Sequence, residues 1–328
     1  MTQTAEKPAT AEDHQTRERA FDIARRGVFL GAEITGIDLS APLDDTTVRE
    51  LRRAHAEHGV LVFPDQSISS DDLMRFGRYF GELTVHPFST STDENPELIV
   101  YDNKEGNPPA PTDVWHTDET FRECPPMGTA LCSKIVPARG GNTNFASMTA
   151  IYESLSDRLQ NFLSGLEAVH DLGPFKGLFP DTPEGRKNRF LAEEKYRPVT
   201  HPVVRVHSVT GRKILFVNPQ FTRHIKNMDA EESDAILRML YAKTLRHEYH
   251  YRHQWQPNMV VIWDNQSVQH SALHDYYPQR RMMERVTIGS RERPVGDAPA
   301  ADPATVQKFL MPPVMAFDAT RQKRLHDA

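Results

Sequence analysis

The sequence predicts a mainly β protein with decorating helices, a sandwich or jelly roll, on three observations. Strand-sized apolar runs recur in the second half, at Met259-Val260-Val261-Ile262-Trp263 and over 285–289, with an alternating hairpin between residues 201 and 218. They come at irregular spacing, without the βαβ alternation that a parallel sheet needs. Helical patterns gather before Leu83 and are inserted only twice later.

Residues 1–25 are polar, rich in Thr, Glu and Ala, and lack a persistent apolar period, so a disordered N-terminal tail is expected. Order is expected from Gly27-Val28-Phe29-Leu30, alternating through Ile34 and Ile37. Asp44-Asp45 precede a helical stretch over 46–58 that stops at Gly59, a matched start and stop. Val60-Leu61-Val62-Phe63 reads as a buried strand. Over 71–80 Leu73, Phe76 and Phe80 share a helical face, with Gly81 as the stop. Leu98-Ile99-Val100-Tyr101 is a strand, and Asn107-Pro108-Pro109-Ala110-Pro111 is a loop, since prolines at that density cannot continue a ladder. A helix follows over 148–166, broken near 154–156. Residues 172–200 are charged and rich in Gly and Pro, and a functional lid is expected there. The alternation of 201–207 and 213–218 about Thr210-Gly211 predicts a β-hairpin. An amphipathic helix spans 229–245. Strands return at 259–264 and 285–289. One domain over 26–292 is expected, with 293–328 an extension of unassigned role.

Composition narrows the function. The chain has 328 residues, with 39 Lys+Arg against 45 Asp+Glu, a net charge of −6. That length can bury a substantial core, and the acidic balance removes the bulk attraction to phosphate backbones that a nucleic-acid binder has. No apolar run approaches the roughly 20 residues of a membrane span, and the N-terminus lacks the apolar core of a secretory signal. Two cysteines, Cys124 and Cys132, without a CxxC, exclude a disulfide framework and fit a reducing cytoplasm. The partner expected is therefore a small molecule, not nucleic acid or membrane, with a homo-oligomer, dimer or tetramer, as the assembly.

The chemistry concentrates at His116-Thr117-Asp118, followed far downstream by Gln269-His270. On a strand, residues i and i+2 point to one face, so His116 and Asp118 can reach one point and a distant His can close the set. Two imidazoles and one carboxylate form the facial triad of non-haem Fe(II) sites, which leaves coordination positions open. HxD is common by chance and the chain has 15 histidines, so the motif alone leaves a surface or core histidine open. Arg281 and Arg285 lie 11 and 15 residues beyond His270, at the start of an apolar strand. An inward guanidinium there needs an anion, and a carboxylate matches its fork. Structural pairing with Asp264 or Asp275 is the alternative.

With these residues in view the chain resembles the taurine dioxygenase (TauD/TfdA) family of Fe(II)/2-oxoglutarate-dependent dioxygenases. The resemblance runs in order from about residue 27 to 290. It is carried by Gly31-Ala32-Glu33-Ile34-Thr35-Gly36-Ile37-Asp38-Leu39, Phe80-Gly81-Glu82-Leu83 with Val85-His86-Pro87, Trp115-His116-Thr117-Asp118 with Thr120-Phe121, and Gly140-Gly141-Asn142-Thr143. It continues through His201-Pro202-Val203-Val204-Arg205-Val206-His207, Leu215-Phe216-Val217-Asn218, Trp255-Gln256-Pro257-Asn258, Trp263-Asp264-Asn265, Gln269-His270 and the Arg281/Arg285 pair. It implies a double-stranded β-helix (jelly roll), with iron held by His116, Asp118 and His270, and O2 and 2-oxoglutarate as cosubstrates. The 5-carboxylate of 2-oxoglutarate would be held by Arg281 and Thr143. By the same resemblance an anionic substrate group falls to His86 and Arg285, beside Phe179 and Phe221; the alternative is an Arg285 already paired with a protein carboxylate, Glu119 being a candidate, with a neutral or cationic substrate. The implied reaction is hydroxylation of a C–H bond of a small sulfonate, sulfate ester or carboxylate, with C–S, C–O or C–N cleavage where the hydroxylated carbon carries a leaving group.

The chain also departs from the taurine enzyme. Ser89 and Thr112 stand where that enzyme has Tyr and Asn, and Glu119 where it has Val, so the pocket is differently shaped and more acidic. Glu119 is assigned to the substrate site, where it would meet a cationic group or face solvent. Two other readings compete, a zinc hydrolase on the same three ligands and a non-catalytic jelly-roll binding protein. The segment His247-Glu248-Tyr249-His250-Tyr251-Arg252-His253 looks metal-rich, but its second His comes at i+3 where a zinc-protease helix needs i+4. It alternates like a strand.

Overall fold

The computed structural model describes residues 20–86, 94–104 and 112–296, apart from the side chain of Pro174. Its centre is an eight-stranded sheet. In spatial order it runs Asp22–Arg25, Ala32–Thr35, Val60–Phe63, Val260–Asp264, Gly128–Ile135, Arg281–Ile288 and Leu83–Thr84, with Leu98–Asn103 also paired to Arg281–Ile288. A second sheet of three strands places Thr143–Ser147 between His250–His253 and Val268–Ala272. Between the two sheets lies one core.

The apolar runs are explained by burial on both faces. Along Val60–Phe63, Val60 and Val62 turn toward the second sheet and pack with Trp263 and Phe145, while Leu61 and Phe63 turn to the helices. Val261 and Trp263 face the inter-sheet core in the same way, and Val260 and Ile262 the helical side. Period-two alternation thus persists where every residue is apolar. The helices Asp45–His58 and Ser70–Arg78 cover that outer face. Asp44 caps the first through the amides of Thr46 and Thr47, and Gly59 ends it at φ 68°, a left-handed value that suits glycine. Ser69 and Asp72 form a reciprocal capping box on the second.

The second sheet is backed by Met148–Glu153 and Ala230–Thr244, which pack with the hairpin Val204–Val206/Lys213–Leu215. In the longer helix Ser233, Leu237, Leu240 and Thr244 form the buried stripe. A further sheet sets Glu167–His170 between Thr222–Ile225 and Val199–Pro202. The architecture is the expected jelly roll with decorating helices.

Three expectations are corrected. The tail does not extend to residue 25, because Asp22–Arg25 pairs antiparallel with Ala32–Thr35. The stretch 172–200, where a functional lid is expected, is not irregular. It holds a 3-10 turn, Gly173–Leu178, and a helix, Pro183–Lys195, started by the Thr182 hydroxyl and Pro183. The final strand opens at Arg281 rather than 285, so both arginines lie on it. Most of the tail, the proline loop at 107–111, Ser89 and the extension from 297 lie outside the described residues.

Candidate active site

His116 and His270 face each other across an antiparallel bridge, in which each backbone amide donates to the other's carbonyl, at 3.0 and 2.8 Å. That register puts both side chains on one face, with ring centroids 4.2 Å apart. Asp118 joins them, but not along a strand as the HxD spacing suggested. His116 holds only this single bridge, and Asp118 opens a turn whose course is fixed by the Thr117 hydroxyl donating to Val268 O at 3.0 Å. The three candidate ligand atoms lie within 4.8 Å of one another, all from buried residues. Among the described residues this is the one such group.

Each of the three is prepared for a cation. His116 Nδ1 lies 2.7 Å from Val114 O, which takes its N–H and leaves Nε2 with the lone pair, 3.7 Å from Asp118 Oδ1. His270 Nε2 is 3.8 Å from the same oxygen. Burial pushes both imidazoles below their ordinary value, so they are neutral and able to ligate. Burial would raise Asp118, but the Arg285 guanidinium, helped by the Thr129 hydroxyl, holds its carboxyl well below the usual range. Its other oxygen, Oδ2, accepts from Thr129 Oγ1 at 2.8 Å. Thr129 in turn accepts from Asn265 Nδ2 at 3.1 Å, and Asn265 Oδ1 accepts from Trp263 Nε1 at 3.1 Å. The chain ties down one oxygen and leaves Oδ1 toward the imidazoles. Neutral nitrogen and carboxylate oxygen on one face fit Fe(II).

A cavity of about 290 Å³ runs from these histidines to Arg281 and Thr143, past Tyr101, Leu131 and Arg285. Arg281 sits between the rings of Trp255 and Tyr276, 5.8 and 5.9 Å from their centroids. Its Nε is buried without a partner, and burial lowers its pKa, as expected of a cation lacking a counter-charge. Trp255 Nε1 donates to Thr143 Oγ1 at 3.0 Å, which orients that hydroxyl. Asp264 and Asp275, the alternative partners, are engaged elsewhere, Asp264 with His207 and Ser267, Asp275 with Gly141 N and Arg252. An unpaired guanidinium and a hydroxyl at one end of a cavity, with the metal ligands at the other, fit a dicarboxylate such as 2-oxoglutarate.

Arg285 lines the same cavity but is paired. Its Nη2 lies 2.9 Å from Asp118 Oδ1, and Nη1 donates to the Tyr101 hydroxyl at 3.5 Å. Burial works against its charge, and Asp118 more than restores it, with Tyr101 and Glu119 adding to the effect. His86 stands close by, and its pKa is pushed down to about 3 by burial and then by Arg285. Glu119 does not face solvent. It is 1% exposed, receives Arg122 Nε at 2.5 Å on Oε2, and holds Oε1 3.9 Å from His86 Nε2.

Phe221 packs edge-on to His116 with centroids 6.5 Å apart. Phe175, passed over in the sequence, stands 5.4 Å from Phe221 and 6.1 Å from His86, while Phe179 closes the same turn half-buried. Thr112 lines the cavity, its hydroxyl 3.3 Å from His274 Nε2. His250–His253 of the histidine-rich segment is a strand, as its alternation suggested, but His247–Tyr249 is a 3-10 turn, and His250 is spent on Thr244 O. Thr129 and Asn265 were also missed. Asn265 stood inside a quoted motif, but Thr129 carries no local signal.

Residues 20–287 match the sequence profile of the taurine catabolism dioxygenase TauD, TfdA family. An alkylsulfatase of Acinetobacter baylyi is 33% identical over 303 residues, covering 90% of this chain and 92% of its own. The alpha-ketoglutarate-dependent sulfate ester dioxygenase of Pseudomonas putida is 34% identical, covering 81% and 88%. Among solved structures, a taurine dioxygenase from Burkholderia xenovorans superposes with a TM-score of 0.72 at 30% identity, covering 84% and 91%. AAD-2 in complex with Mn(II) and N-oxalylglycine gives 0.70 at 29%, covering 84% and 99%.

Proposed function

The chain belongs to the TauD/TfdA family of 2-oxoglutarate-dependent dioxygenases, and we propose on that premise that it uses Fe(II) to hydroxylate a C–H bond of a small organic anion. Sulfate esters and sulfonates are the leading substrates, with aryloxy carboxylates next. The single observation that carries this reading is the buried Arg281, without a counter-charge, at the end of the cavity that begins at His116 and His270. A zinc hydrolase needs no such group.

His116, Asp118 and His270 would hold the metal, and Arg281 with Thr143 the far carboxylate of 2-oxoglutarate. When bound, the metal supplies O2 activation, with 2-oxoglutarate as the electron source. The chain's own part is to orient and to exclude water. Thr129 fixes which carboxylate oxygen faces the metal, and Val114 fixes the His116 tautomer. Arg285, with neutral His86 as a hydrogen-bonding neighbour, would receive the anionic head, and the Phe175/Phe221 pair would wall off solvent. Names of relatives support the anion class, since they include an alkylsulfatase, sulfonate dioxygenases and a 2,4-dichlorophenoxyacetate dioxygenase. The catalytic domain, placed at 26–292 by sequence, takes in the strand Asp22–Arg25 as well. Two free cysteines fit a cytoplasmic setting, and a dimer or tetramer is the assembly proposed.

Anaerobic addition of Fe(II) and 2-oxoglutarate should produce a visible charge-transfer band, and Asp118→Ala should abolish it. Succinate release is then screened across sulfate esters, sulfonates and aryloxy carboxylates. Arg285→Ala should collapse turnover of the best of these while leaving 2-oxoglutarate affinity within a few-fold. No band from well-folded wild type, or release without 2-oxoglutarate, defeats the reading.

A further inference from the structure

Glu119 is an anomaly in this site. It stands where the resemblance places a valine, directly after the candidate ligand Asp118, and its backbone is held at φ 48°, a left-handed value that few residues other than glycine adopt. Its carboxylate is divided. Oε2 is clamped by Arg122, while Oε1 is fully buried and has no hydrogen-bond partner. A buried carboxylate oxygen left unbonded is costly. Arg122 and the strained backbone together fix where Oε1 points, which is toward His86 and the Arg285 side of the site.

The gap between Oε1 and His86 Nε2 is 3.9 Å, too long for a direct hydrogen bond. One polar atom at about 2.9 Å from Oε1 would satisfy it. The atom must carry a hydrogen, because Glu119 in its charged form only accepts. It should also be neutral. Arg122 already balances the Glu119 charge, and Arg285 stands beside His86, so an ammonium would meet two guanidiniums.

We infer that Glu119 Oε1 is a substrate subsite, and that the substrate is an organic anion bearing a neutral N–H or O–H donor a few bonds from its charged head. The inference rests on the anionic-substrate reading and narrows it. It assigns to Glu119 the choice between donor-bearing and donor-free anions of equal size.

The probes are matched sulfonates in which an amide nitrogen, two to four carbons from sulfur, is replaced by an ester oxygen. This deletes one donor and little else. Succinate-coupled kcat/KM and anaerobic calorimetric Kd are measured for each pair. Wild type should favour the amide at least tenfold at one spacing. Glu119→Val should bring the ratio to within about twofold of one. In Glu119→Gln the amide oxygen turns to Arg122 and the NH2 to the substrate, so the preference should vanish or reverse, and this isosteric change carries the test should the valine variant not fold. Equal use of amide and ester by wild type at every spacing overturns the inference while leaving the anion reading intact. So does a wild-type ratio in Glu119→Gln. If no sulfonate binds although Fe(II) and 2-oxoglutarate give their band, the sulfonate class itself falls, and the inference with it.

Discussion

Replacing Arg281 with alanine removes a cavity guanidinium that has no counter-charge among the described residues. Trp255 and Tyr276 flank it at 5.8 and 5.9 Å, and its Nε is buried and unbonded. A carboxylate arriving there makes charge-assisted, bidentate contact in a dry setting, and losing one partner of such a pair costs on the order of 2–4 kcal/mol. At about 1.4 kcal/mol per decade, the dissociation constant of 2-oxoglutarate should rise roughly 30- to 700-fold. Arg281→Lys keeps a charge but not the fork, and an intermediate rise of about tenfold is expected. The assay is an anaerobic titration of 2-oxoglutarate into the Fe(II)-loaded protein, followed by the charge-transfer band. A second readout separates binding from folding. Without ligand, Arg281 is a buried charge lacking an ion pair, so the ligand-free alanine variant should unfold at the same urea concentration or a higher one. An alanine variant whose affinity for 2-oxoglutarate stays within threefold refutes the assignment. One that loses affinity and stability together shows that Arg281 supports the fold instead.

Thr129→Val deletes the donor to Asp118 Oδ2 at nearly constant shape, and should weaken metal binding roughly 10- to 100-fold by calorimetry; unchanged affinity would mean that Thr129 does not orient the carboxylate. Acid should destabilise the fold well above the carboxylate range. Burial holds His201 and His253 down to about 4, so between there and the ordinary histidine value of 6.5 the unfolded chain takes up protons that the folded chain refuses. Their contribution is complete above pH 6.5 and is lost as the pH falls toward 4, at up to ~1.4 kcal/mol per pH unit for each histidine. Urea unfolding at pH 7, 6 and 5 measures that slope, and a flat profile would show these rings protonated in the fold.

What the sequence reveals is what neighbours in the chain decide. The helix Asp45–His58 was legible because its cap, first turn and stop are consecutive residues. Val60–Phe63 was legible because burial on both faces makes it wholly apolar. Gly128–Ile135 is just as central, yet it carries Thr129 and Ser133, whose partners come from Asp118 and from the backbone of Gln256 and Met259. Polar residues satisfied at long range break the apolar signature. The helix Pro183–Lys195 failed for the opposite reason. Only Gly185 is buried in it, so it has no apolar stripe, and its one signal was Thr182-Pro183. The triad was legible in composition and wrong in local geometry, since a bridge and a turn, rather than a strand, bring His116 and Asp118 to one point.

The two arginines show where reading by spacing ends. Arg281 and Arg285 lie four residues apart on one strand and line one cavity, so periodicity treats them as equivalent. Their surroundings do not. Arg281 has aromatic rings on either side, and its charge waits for a ligand. Arg285 has Asp118 at 2.9 Å, and the oxygen it touches is the one that also faces both imidazoles. Thr129 holds the other oxygen, so the carboxylate cannot serve Arg285 and a metal from opposite edges. A cation bound by Oδ1 therefore competes for the charge that restrains Arg285, and an anion on Arg285 relieves that competition. On the proposed reading, metal and anionic substrate would be coupled through a single oxygen atom, and by linkage each would strengthen the other by the same factor.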